Sequence, residues 1–136
     1  MTTSKPSPSP VVPVLVAVLA CDVACTDPAT GKHTLVGIFD KVHVGKFPTS
    51  RPFSVYVKLT DAEGDYDFDF RFVQIGSGKT IMGAKGHFRV SDRLGASSFI
   101  VQFPGARIPD PGRYEIQVWT NSVFLGATFI DAAARD

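Results

Sequence analysis

The chain has 136 residues and a net charge of +1, with 44% hydrophobic and 20% charged residues. That is one domain's length, enough to bury roughly two thirds of the unfolded surface and to fold without a metal or disulfide. The mixed charge leaves no electrostatic footprint for nucleic acid or an anionic membrane. Two cysteines make no disulfide framework, and no apolar run reaches the ~18–20 residues of a spanning helix.

Residues 1–13, MTTSKPSPSPVVP, are Ser/Pro-rich and are expected to form a disordered tail with polyproline character. The sandwich domain is expected over 14–131, with a short C-terminal tail at 132–136. VLVAVLACDVAC (14–25) is a continuous β-branched apolar run and reads as a well-buried strand. Asp27-Pro28 and Gly31 supply turn chemistry. HTLVGIFDKVHV (33–44) resumes as one extended segment bent at Gly37, and FPTSRP (47–52) reads as a loop.

Two stretches then alternate with a period of two. In FSVYVKLT, Phe53, Val55, Val57 and Leu59 face one way. In DYDFDFRFV, Tyr66, Phe68, Phe70 and Phe72 point inward while Asp65, Asp67, Asp69 and Arg71 point to water. Such alternation marks a sheet with one wet face. Short strands come next at 79–82 and 86–91. SSFIVQF (97–103) alternates through Phe99, Val101 and Phe103, and PGARIPDPG reads as a loop. RYEIQVWT places Tyr114, Ile116 and Val118 inward, Asn121-Ser122 forms a hairpin turn, and VFLGATFI closes the domain. The count is about eight strands, within a range of 7–9, and the pattern is an all-β antiparallel sandwich.

DPGRYEI (110–116) carries the Asp-x-Gly-x-Tyr pattern of the immunoglobulin tyrosine corner, with Ile116 at a core position. In that motif the tyrosine hydroxyl bonds back to upstream backbone. Together with Gly31-Lys32, with Leu35, Gly37, Phe39 and Asp40, with Phe47-Pro48, and with Pro109, Pro111, Gly112 and Tyr114, the chain resembles a family of small bacterial domains without an assigned function. The resemblance runs from about Val14 to Ile130. It implies an immunoglobulin-like sandwich and brings no site residue with it.

Several motifs invite a chemical reading. Gly78-Lys79-Thr80 ends a phosphate-loop pattern. The position that requires the first glycine holds Val73, however, and the residues after Thr80 have the pattern of a strand rather than a helix. The stretch is expected to be a hairpin turn in which Gly76 and Gly78 take positive φ, and no nucleotide is expected to bind there. Asp61, Glu63, Asp65, Asp67 and Asp69 suggest calcium. Alternate strand residues, however, lie about 7 Å apart and march away from an ion rather than encircling it. Cys21 and Cys25 on one strand would be about 13 Å apart, too far for a disulfide or shared zinc. They are expected as buried or half-buried free thiols, which fits a reducing, cytoplasmic setting. His33, His43 and His87 form no ligand pair. The alternative location is an exported lipoprotein anchored at Cys21, with 11–20 as its apolar signal. The outward Tyr56 and Trp119 could anchor a partner.

No catalytic residue, cofactor or metal site is nominated. The expected function is a non-enzymatic binding or structural module that recognises a protein or pairs with itself. The alternatives are a small-ligand or enzymatic sandwich with a loop pocket, and a calcium-dependent surface module.

Overall fold

The computed structural model describes residues 11–135; most of the Ser/Pro-rich segment therefore lies outside the described residues. Among the described residues nine strands form two sheets. They are β1 (Val14–Thr26), β2 (His33–Ile38), β3 (Lys41–Val44), β4 (Thr49–Thr60), β5 (Gly64–Gln74), β6 (Lys79–Val90), β7 (Ala96–Ile108), β8 (Gly112–Thr120) and β9 (Val123–Ala134). One sheet has the order β2-β1-β4-β7 and the other β3-β9-β8-β5-β6. All pairs are antiparallel except β3 with β9. Among the described residues no strand joins both sheets, so the fold is a sandwich whose core is what the two inner faces share.

The alternating segments build that core. Phe53, Val55, Val57 and Leu59 of β4 are buried against Tyr66, Phe68, Phe70 and Phe72 of β5, with Phe103, Tyr114, Ile116 and Val118. Phe72 stacks on Tyr114 at 5.1 Å and tilts against Phe53 at 5.6 Å, so one ring ties the two sheets together. The tyrosine hydroxyl donates to the Asp110 carbonyl at 2.6 Å and accepts from the Asp110 amide at 3.2 Å. This is the back-bond that the Asp-x-Gly-x-Tyr pattern calls for.

Several elements differ from the sequence expectation. The 33–44 segment divides between sheets: β2 pairs with β1, whereas β3 crosses to lie beside the end of β9. That pairing carries β9 through Ala134, past the expected boundary at 131, and the Arg135 amide donates to the Val44 carbonyl. Residues 11–13, assigned to the tail, lie against the sandwich: Pro13 is buried and the Val11 carbonyl accepts from the Tyr66 hydroxyl at 2.6 Å. Residues 79–90 form one strand rather than two, because Gly83 and Gly86 keep the ladder opposite Arg71 and Phe68. The expected loops at 47–52 and 104–112 are largely strand, since Thr49 to Arg51 pair with Ala106 to Ile108. Asn121 and Ser122 take positive φ, as the two-residue hairpin requires.

β1 departs furthest from its reading. Only Ala20 and Cys21 of it are buried, while Val14, Val16 and Val23 are each more than half exposed. The strand runs on past its ladder with β4, which ends at Cys21 opposite Ser54. Its first part pairs with β4 and sets Leu15 over Gly126 of β9, where a β-carbon would strike the leucine. Its last part leaves β4 and continues with β2 as a two-stranded arm.

Candidate functional site

The arm begins at Cys21, whose backbone pairs with Ser54 on one side and Ile38 on the other. Its tip is an Asp27–Lys32 turn. The Asp27 side chain accepts from the Ala29 amide at 2.9 Å, and Gly31 supplies the positive φ. The arm leans back over the outer face of its own sheet. The His33 ring meets the Tyr56 ring edge-on at 5.7 Å, and His33 Nε2 donates to the Ser98 carbonyl of β7 at 3.4 Å. His33 Nδ1 accepts from the Thr26 hydroxyl at 2.8 Å, a pairing that assigns the tautomer. Contacts on this inner side anchor the arm.

The other side of the arm is aliphatic and open. Val23 sits directly opposite Val36, and Ile38 lies two residues along; these three are 57%, 55% and 57% exposed. Cys25 and Thr34, the next cross-strand pair on this face, are exposed as well. Cross-strand aliphatic pairs of this kind pack on each other within the sheet, and here their outer surface stays open to water. Among the described residues β2 is also an outermost strand with one unpaired edge. The other outermost strands carry the residues that discourage edge pairing: Lys41 in β3, Lys79, Lys85 and Arg89 in β6, Pro104 and Arg107 in β7. β2, His-Thr-Leu-Val-Gly-Ile, has no Lys, Arg or Pro. Its one irregularity is Gly37, at φ 70, where any side chain would run into the Asp22 carboxylate. Asp22 in turn pairs with Arg51 of β4, which fixes the base of the arm.

The residues singled out by motif fall elsewhere. Lys79 is exposed at the start of β6, after a turn in which Gly78 takes positive φ and Gly76 does not. The acidic residues disperse among separate partners: Asp61 faces Arg93, Asp69 is paired with Arg71, and Asp65 and Asp67 flank His87. Among the described residues no group of three or more His, Cys, Asp or Glu side chains is placed to hold a metal ion. The hydrogen bond that His87 donates to Asp67, opposed by desolvation and aided by the charges of Asp67 and Asp65, raises the His87 pKa above the ordinary histidine value. Any stability from that contact is therefore present at low pH and fades as pH rises through the raised pKa. Cys21 and Cys25 are both free thiols on β1. Cys21 is buried, and burial followed by the nearby Asp22 charge pushes its thiol pKa up; Cys25, expected at least half-buried, is exposed because it lies on the arm.

Trp119 does lie on the outer face of the five-stranded sheet. The Arg71 guanidinium covers its ring at 4.4 Å, Phe124 packs beside it, and its Nε1 donates to Gln117. Arg113 covers Phe129 in the same way at 3.9 Å while donating to Asp131 through Nε and Nη2. These rings are already occupied by cations, unlike the aliphatic side chains of the arm. An open groove of about 420 Å³ runs beneath the tip of the arm, with Phe68, Phe88 and Phe99 on its floor and Arg89 at its rim.

The described residues thus form a two-sheet β-sandwich carrying a hairpin arm with an exposed aliphatic face. The chain belongs to a family of unknown function, DUF6941, whose model matches residues 16–131 and so includes the arm. No curated protein matches it. Among solved structures it is similar to a β-glucosidase from Listeria innocua in complex with isofagomine, at 10% identity and a TM-score of 0.42. That likeness covers 71% of this chain and 15% of the glucosidase chain. Among the described residues no helix is long and apolar enough to cross a membrane.

Proposed function

We propose that the domain is a non-enzymatic interaction module that offers the β2 edge of its four-stranded sheet to an extended protein segment. The observation that carries this reading is the Val23, Val36 and Ile38 face beside an edge strand free of Lys, Arg and Pro. An added strand would satisfy the open backbone groups of β2 and cover part of these side chains, which is how sheet-edge recognition combines affinity with selectivity. Each aliphatic side chain taken from half exposure to burial contributes roughly 1 kcal/mol. Association costs at least ~4 kcal/mol, so binding through the arm alone is weak and reversible. The exposed thiol of Cys25 on the same face supports a reducing, cytoplasmic setting.

Val36→Lys places a charge at the centre of the edge without touching the core. It is expected to leave the thermal transition within about 2 °C of wild type, as surface changes usually do, and to abolish both concentration-dependent mass in light scattering and retention of any bound protein from native lysate. Unchanged mass and retention in the variant would exclude the arm as the binding surface.

A further inference from the structure

Resting on that reading, we infer that the segment received by β2 is β2 of a second copy, paired antiparallel about a twofold axis through Val36. Charge complementarity and side-chain size both favour this register. β2 is neutral between Lys32 and Asp40, its nearest charged neighbours on either side. Antiparallel pairing centred on Val36 brings Lys32, just before the strand, toward Asp40, just beyond its end, in the other copy, twice, by symmetry. It also sets Leu35 opposite Gly37, the one position of the strand with no side chain and a positive φ, and Thr34 opposite Ile38. A register centred on Leu35 places Lys32 against Ile38 and loses the charge match, and one centred on Gly37 runs Lys32 beyond Asp40, where the chain has left for β3 of the other sheet.

The same register extends the exposed face. Within one copy Val23 lies directly opposite Val36. Across the axis Val36 meets Val36, so the four valines form one row over β1, β2 and the two corresponding strands of the second copy. Each four-stranded sheet becomes half of a continuous eight-stranded one. The arm's contacts with Tyr56 and Ser98 lie on its opposite side and are not disturbed.

Cysteine trapping tests both the pairing and its register. Directly opposed residues of an antiparallel pair have α-carbons about 4.5–5.5 Å apart, within the range a disulfide spans. Two copies of residue 34 would be about 13 Å apart, four steps of roughly 3.3 Å. In a Cys25→Ala background, Val36→Cys should give predominantly disulfide-linked dimer under mild oxidation, and Thr34→Cys at least tenfold less. Equal yields from the two variants overturn the register. A wild-type protein that sediments as a monomer up to about 1 mM, with no cross-linking of Val36→Cys above the Thr34→Cys background, overturns self-pairing. If in that case Val36→Lys still abolishes retention of a different protein, the edge reading stands and only its occupant changes.

Discussion

Replacing Phe72 with Ala should destabilise the domain by about 3–5 kcal/mol, the range for a fully buried aromatic cut back to a methyl group. Phe72 is fully buried and belongs to the alternating run of β5. It stacks on Tyr114 of β8 within its own sheet and touches Phe53 of β4 in the other. Its removal leaves a cavity where the sheets meet, and rings held by two ladders cannot collapse into it. For a domain of this size the midpoint of thermal unfolding should fall by roughly 10–25 °C, measured by circular dichroism. Phe124→Ala, at a half-exposed position on β9, is the matched control and should cost far less. Similar losses from the two variants would mean that the sheets are not held together at Phe72.

Tyr114→Phe keeps the ring and its stack on Phe72 and removes only the hydroxyl. That hydroxyl is the partner of both the amide and the carbonyl of Asp110. Deleting it removes two partly buried hydrogen bonds to the Asp110 backbone, which contribute about 0.5–1.5 kcal/mol each. The urea midpoint should fall with its slope unchanged, because the unfolded surface is the same. A loss below about 0.5 kcal/mol, at the level of an ordinary surface change, would demote the tyrosine to simple packing.

The core of this fold is legible in the sequence because its strands alternate. Tyr66, Phe68, Phe70 and Phe72, and Phe53, Val55, Val57 and Leu59, are assigned to the inner face by period alone, and all eight are buried. The Asp-x-Gly-x-Tyr pattern likewise specifies a local contact, and the contact forms. Features that depend on which strand lies beside which are not legible in this way. The apolar run of β1 gives no sign that one of its faces is uncovered, because apolarity records what a residue prefers and not what reaches it. Gly83 and Gly86 look like breaks between two strands, yet the ladder with β5 runs through both. The 33–44 segment divides at Phe39 and Asp40 only because β9 offers an edge to Lys41–Val44.

The candidate surface is hidden from the sequence for the same reason. Val23 and Val36 are 13 residues apart in sequence and ordinary strand residues by type; the hairpin register makes them a pair, and the position of β2 at the sheet edge leaves them open. Conversely, the residues with recognisable chemistry are spread over unrelated places. Gly78-Lys79-Thr80 lies at a turn, the aspartates neutralise neighbouring cations and His87, and Trp119 lies under Arg71.

Amide hydrogen exchange across β2, followed with increasing protein concentration, decides whether this edge is a docking surface. Backbone groups on the open edge should exchange quickly in dilute protein and become protected when an added strand pairs with them, while Phe53–Leu59 of the core stays slow throughout. The predicted result is protection at His33–Ile38 that rises with concentration and that Val36→Lys abolishes. Rapid exchange of β2 at every concentration, or with any bound protein present, would contradict it.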